Sequence, residues 1–175
     1  NDGFYGVKRI YDLDAESKDF NRCTEFWYIG ADGEPVMISS GYSYVIRSLD
    51  EAGRTLEQYY YDTEHEPVSL AAGYYGQSYN YDENGYNDST TYLSIDGEPV
   101  AISAGYSMVR YERNNDGAVR YHWYYGADGA PFDIGRGQYG IQLIYRDGVY
   151  TSSVPVDLDG NELFYVDQYL GRHPE

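Results

Sequence analysis

The 175-residue sequence predicts an all-β fold of tandem β-hairpin units of 32 residues, stacked into a solenoid-like array or an extended β-sheet. Three observations predict it. A phrase recurs, as "WYIGADGEPV" at 27–36, "YYYDTEHEPV" at 59–68, "TYLSIDGEPV" at 91–100 and "WYYGADGAPF" at 123–132. Three columns keep one spacing through it: Gly33, His65, Gly97 and Gly129; Pro35, Pro67, Pro99 and Pro131; Gly41, Gly73, Gly105 and Gly137, each 32 residues from the next. No window holds a sustained 3.6-residue apolar period, and 20 Gly with 6 Pro punctuate the chain too often for helices of ordinary length.

Counted from the second glycine column, the units run 41–72, 73–104 and 105–136, with imperfect ones at about 3–40 and 137–175, all in a single array. Atypical ends are expected, because terminal units must cover a face that has no neighbour. Within a unit, a first strand such as "GYSMVRYE" leads through "RNNDG" to a second, "AVRYHWYY". "GADGAP" then leads to a short third strand, "PFDIG". The Tyr, Val, Ile and Thr runs are strand chemistry, and the Asn, Asp and Gly clusters are turn chemistry. The first unit is longer than the rest, and its extra residues fall in "DLDAESKDFN", at the first turn, where insertions are best tolerated.

Alternation along the first strand puts Tyr5, Val7, Arg9 and Tyr11 on one face. The same face carries Ser43, Val45, Arg47 and Leu49, then Tyr75, Gln77, Tyr79 and Tyr81, then Tyr139, Ile141, Leu143 and Tyr145. It is the more apolar face and is assigned to the core. The opposite face begins at Phe4, Tyr42, Tyr74 and Tyr106, which predicts one exposed ring per unit. In the third strand, Val36 and Ile38, Val68 and Leu70, Val100 and Ile102, and Phe132 and Ile134 are expected to form a buried stripe.

A formal charge of −17 and a pI near 4.3 argue against a nucleic-acid partner and an anionic membrane surface. The longest apolar runs are only a few residues, so no membrane insertion is expected. The single cysteine, Cys23, leaves no intrachain disulfide and no thiol pair for a metal or redox site. The opening "NDGFYG", without Met, reads as a processed or excised fragment.

The second aromatic cluster holds two kinds of column. Tyr28, Tyr60, Tyr92 and Tyr124 keep one residue type, whereas Trp27, Tyr59, Thr91 and Trp123 vary. A column that accepts Thr is not deep core, so Trp27, Tyr59 and Trp123 are candidates to face a ligand. Rows of rings stabilise a repetitive sheet, or they offer platforms for sugar faces and cages for quaternary ammonium groups, and exposure decides between these. His65, His122 and His173 lack metal-ligand spacing, and no catalytic constellation stands out, so neither an enzyme nor a cofactor is expected. The acidic loops "DLDAES" (12–17) and "DLDGNE" (157–162) invite a calcium reading, but the second has Gly160 fourth instead of sixth and departs from the calcium-loop pattern, so a plain turn is expected there.

The phrase carried by Trp27, Tyr28, Asp32, Gly33, Pro35, Val36, Gly41 and Tyr42, and again by Trp123, Tyr124, Tyr125, Asp128, Gly129, Pro131 and Gly137, resembles the cell-wall-binding repeats of Gram-positive surface proteins. Those are the choline-binding and glucan-binding families. The period here is longer than theirs, and Gly-Tyr stands where they carry Gly-Trp. "YDENG" at 81–85 is also similar to the Tyr-Asp repeats of large secreted shell proteins. The resemblance implies an extracellular, cell-surface module that holds cell-wall polysaccharide, choline or glucan between rings. Carried over by position, it points to Trp27, Tyr42, Tyr59, Tyr74, Tyr106 and Trp123.

The expected function is therefore non-catalytic attachment to cell-wall or other extracellular glycan, through individually weak sites strengthened by multivalency. Two readings stand beside it: an adhesin that binds a host protein such as immunoglobulin or mucin, and a structural spacer.

Overall fold

The computed structural model describes residues 4–17, 19 and 22–163. The fold is all-β: ten antiparallel strands form one open sheet in sequence order, with no helix among the described residues. Five hairpins make the sheet: β1 (Gly6–Tyr11) with β2 (Cys23–Ile29), β3 (Tyr44–Leu49) with β4 (Thr55–Tyr61), β5 (Gly76–Tyr81) with β6 (Asn87–Leu93), β7 (Met108–Arg113) with β8 (Val119–Tyr125), and β9 (Gly140–Arg146) with β10 (Val149–Val156). Six or seven residue pairs match inside each hairpin. Only three pairs join one hairpin to the next, so something else must hold the hairpins together.

One turn geometry recurs along the chain. In the turn from β3 to β4, Asp50 N donates to Arg54 O and Gly53 N donates to Asp50 O, and the same two bonds close turns at 82–86 and 114–118. The Asp-Gly phrase closes likewise, at Gly30 with Glu34, Asp62 with Glu66, Ser94 with Glu98, Gly126 with Ala130 and Asp157 with Asn161. The fourth residue of each such turn needs a positive φ, which glycine adopts without a Cβ penalty: Gly129 is at 76° and Gly97 at 82°. His65 takes the same conformation, at 66°.

The short third strand does not form. Each phrase contributes one bridge, at Ile29 with Pro35, Tyr61 with Pro67, Leu93 with Pro99 and Tyr125 with Pro131. A further turn, closed by Ile38 N to Tyr42 O and its counterparts at Leu70 and Ile102, follows at once, leaving too few residues for a ladder. Proline also has no N–H to extend one. Ile38 of the expected stripe is buried, and its other members are half-buried.

One face carries the buried Val45, Leu49, Tyr60 and Val109, with Ser43, Thr90 and Ser107 among them and the aromatic ladder across it, and is called the core face; Tyr44, Leu93, Tyr121 and Val156 are buried on the opposite face. Tyr5 and Tyr11, expected on the core face, are exposed because β1 is an edge strand. Across the core face runs a continuous ladder of eight rings in the order Phe4, Tyr28, Tyr42, Tyr60, Tyr74, Tyr92, Tyr106, Tyr124, with centroids 4.6 to 6.1 Å apart. Tyr42, Tyr74 and Tyr106 are thus half-buried rather than an exposed row; only Phe4, at the end of the ladder, is exposed. The left-handed glycine before each of these tyrosines turns the chain and breaks the alternation that placed them on the other face. Beside the ladder, Tyr60 Oη donates to Gln77 Oε1 at 2.7 Å, and Gln58 Nε2 donates to the hydroxyls of Tyr60 and Tyr79.

Two outcomes follow. A Cβ at Gly129 would meet nothing within 4 Å, so Gly129→Ala tests backbone conformation alone: urea unfolding should show a loss of about 1–2 kcal/mol, and no loss would contradict the left-handed turn. Burial raises the pKa of Tyr42, Tyr60, Tyr74, Tyr92, Tyr106 and Tyr124 above the ordinary 10.0. Each neutral phenol then contributes its stability in full below the unfolded-state value, and the contribution is lost as pH rises through the raised folded value. Alkaline titration should therefore show these ladder tyrosines ionising together with loss of the β-sheet circular dichroism signal; their ionisation in an intact sheet would remove the ladder from the core.

Candidate ligand-binding site

Strand alternation sends Trp27, Tyr59, Thr91 and Trp123 to the face opposite the ladder, because their neighbours Tyr28, Tyr60, Tyr92 and Tyr124 occupy the core face. The residue paired directly across on the next strand decides what each side chain meets. Those partners are Tyr44, Gly76, Met108 and Gly140.

Trp27 is closed in by its surroundings. Its ring lies 4.9 Å from Tyr44 and 4.5 Å from His65, those two lie 4.7 Å from each other, and Lys8 Nζ sits 5.6 Å from the indole. Its Nε1 is buried without a hydrogen-bond partner, an arrangement that costs about 1–3 kcal/mol. Tyr59 lies on Gly76, where a Cβ would stand 2.6 Å from its Cδ1, and its hydroxyl reaches toward Gly97. Burial raises the Tyr59 pKa.

Trp123 lies on Gly140 in the same way, with Cε3 2.8 Å from where a Cβ would be, and stacks on Tyr121 with centroids 5.1 Å apart at 22°. Its Nε1 donates to Glu112 Oε2 at 3.2 Å. A cleft of about 330 Å³ opens here, lined by Asp88, Arg110, Tyr111, Glu112, Trp123 and Tyr125. Arg110 Nε lies 3.6 Å from Asp88 Oδ2. A second cleft, of about 820 Å³, lies between the turns at 82–86 and 114–118 and shares Asp88, Tyr111 and Glu112 with the first.

Of the six residues picked from the sequence, Trp123 alone lines either cleft. Tyr42, Tyr74 and Tyr106 belong to the ladder on the other face, so the structure does not bring the six together. An indole beside two carboxylates, a guanidinium and two tyrosines offers an apolar platform rimmed by donors and acceptors, the composition of a small-molecule site. Asp88, Arg110 and Glu112 escaped the repeat argument because they are not periodic. Glu112 stands where the other hairpins carry Ile10, Ser48, Asn80 and Ile144, and this lone charged member of a neutral column is the signal that could have found the cleft.

The remaining candidates have structural surroundings. His122 meets Tyr111 edge-on at 5.1 Å, and burial together with Arg113 lowers its pKa. His173 lies outside the described residues. Cys23 is a free, half-buried thiol whose Sγ lies 3.3 Å from Glu25 O. In the acidic loops, Asp12 accepts from Asp14 N and the Ser17 hydroxyl, and Asp157 accepts from Asp159 N, Asn161 N and the Asn161 side chain. Those bonds lower both carboxylate pKa values and are turn chemistry.

Comparison of the chain with protein-family models and with curated proteins gives no match.

The two indole N–H groups should behave differently in solution. Dissolved in D2O, the protein should keep its Trp27 indole resonance longer than that of Trp123, with Trp27→Phe used to assign the two; faster exchange at Trp27 would contradict its enclosure.

Proposed function

We propose that the chain is a non-catalytic, extracellular module of tandem 32-residue units in one array, and that it binds cell-wall polysaccharide or another extracellular glycan at Trp123. The observation that carries this reading is the cleft where the Trp123 indole meets Asp88, Arg110 and Glu112. Sugars present an apolar ring face and a rim of hydroxyls, and this cleft offers a ring with acceptors and a donor around it. The phrase containing Trp123 and its resemblance to cell-wall-binding repeats support the same reading. So does the recurrence of one turn geometry from hairpin to hairpin. Trp27 and Tyr59, in the same column, line neither cleft, so binding centres on Trp123.

A second reading has its own support. β10 is an outer strand whose sequence, "VYTSSVPV", carries no charge, and residues 149–153 are exposed. Such an edge suits pairing with an extended segment of a host protein.

Trp123→Ala should reduce retention on purified cell walls or a glycan array by about tenfold or more while leaving the circular dichroism spectrum unchanged. Trp27→Ala should instead lower stability, by about 3 kcal/mol, through lost packing. If walls and a broad glycan panel retain nothing, and a serum pull-down recovers one protein whose capture is blocked by proline at Ser152, the adhesin reading replaces the first.

A further inference from the structure

The two clefts share Asp88, Tyr111 and Glu112, so they form one groove that begins at Trp123 and ends at the turn 114–118. Along β7 and into that turn, Arg110 to Asn114 covers about 13 Å, longer than one sugar ring. Four carboxylates line the groove, Asp82, Asp88, Glu112 and Asp116, against two guanidiniums.

Both guanidiniums are already engaged. Arg110 faces Asp88, while Arg113 donates to Gly117 O and Asn87 O, each at 3.0 Å, and lies 5.0 Å from the Tyr86 ring. The carboxylates keep capacity in reserve. Asp82 and Asp116 use only Oδ1, on backbone N–H groups, and Glu112 uses only Oε2, on Trp123. A ligand for this groove must supply hydrogen-bond donors and is favoured if it carries positive charge.

Another turn of the same sheet shows what fits there. The turn that follows β3 receives the guanidinium of Arg22, whose Nη1 and Nη2 donate to Asp50 O and Glu51 O. The residues 64 positions later are Tyr86, Asn114 and Asn115. Tyrosine has replaced the arginine, the carbonyls of Asn114 and Asn115 receive no side-chain donor, and the larger cleft lies at this place.

We infer that this groove binds a linear oligosaccharide bearing free amino groups, one ring against the part of Trp123 that lines the groove and the ammonium groups held by Glu112, Asp116 and the carbonyls of the 114–118 turn. The inference rests on the glycan reading and names the substrate class of that site.

Calorimetric titration of the intact chain with three tetrasaccharides tests it: β-1,4-glucosamine, its fully N-acetylated form, and β-1,4-glucose. The glucosamine tetramer should bind about tenfold more tightly than either neutral one, and its advantage should shrink as salt rises. Glu112→Gln with Asp116→Asn keeps both hydrogen-bond acceptors and removes two charges; it should abolish the advantage of the glucosamine tetramer over the neutral ones. Equal binding of all three tetramers would overturn the amino-group inference and leave the glycan reading standing. No binding by any tetramer, purified walls or glycan panel would overturn both. Tighter glucosamine binding that survives the double substitution would place the ammonium groups elsewhere and overturn the groove.

Discussion

A sheet one layer thick has no second sheet against which to bury a face, and this chain meets that constraint by folding its own turns back onto the strands. Each turn delivers one ring, Tyr42, Tyr74 or Tyr106, into the gap between strand tyrosines of successive hairpins: Tyr42 touches Tyr28 and Tyr60, Tyr74 touches Tyr60 and Tyr92, and Tyr106 touches Tyr92 and Tyr124. The rings meet tilted or edge-on, the arrangement their quadrupoles favour. Because only three backbone pairs join neighbouring hairpins, these contacts tie the sheet together. Seven contacts at about 1 kcal/mol each would be comparable with the whole net stability of an ordinary domain, so the ladder is no ornament on a sheet that is stable without it. Tyrosine suits most of these positions better than phenylalanine because Tyr28, Tyr42, Tyr74, Tyr92, Tyr106 and Tyr124 are half-buried. Its hydroxyl can reach water or, as at Tyr60, a glutamine.

The ladder depends in turn on the left-handed glycines. Gly41, Gly73 and Gly105 precede the three turn tyrosines, and with φ near 90° they reverse the chain so that the next ring lands on the core face. Much that is local was legible in the sequence: the β class, the hairpins and the glycine turns. Two expectations failed for a single reason. Counting every second residue assumes an unbroken strand, and a left-handed residue resets the count, so the Tyr42 column changed face and the third strand became two successive turns. The exposure of Tyr5 and Tyr11 is a different matter, since their strand lies at the sheet edge and no alternation rule carries that information.

The site was legible only as far as Trp123. Variation in its column marked it, because a position that tolerates threonine is not deep core. The enclosure of Trp27 depends on Tyr44 and on His65, 38 residues further along the chain, and no local pattern announces that contact. The charged rim was hidden for the opposite reason. Glu112 departs from its column, so a search for what repeats passes over it.

Comparison of Tyr59 with Trp123 separates what the fold provides from what the sequence adds. Both rings rest on a glycine of the next strand, Gly76 or Gly140, and there a side chain would collide with the ring and with backbone oxygens of Gln58 or His122. The shelf is therefore a property of the pairing register and occurs twice. The preceding strand differs: Tyr59 is paired with Ile46 and Glu57 with Ser48, whereas Trp123 is paired with Arg110 and Tyr121 with Glu112. An isoleucine and a serine leave the Tyr59 ring with no charged partner on the preceding strand. An arginine and a glutamate at the matching places give the second ring a donor, an acceptor and a cleft. Recognition in such a sheet is created where one hairpin departs from the others, because positions that all hairpins share are occupied in holding the hairpins together.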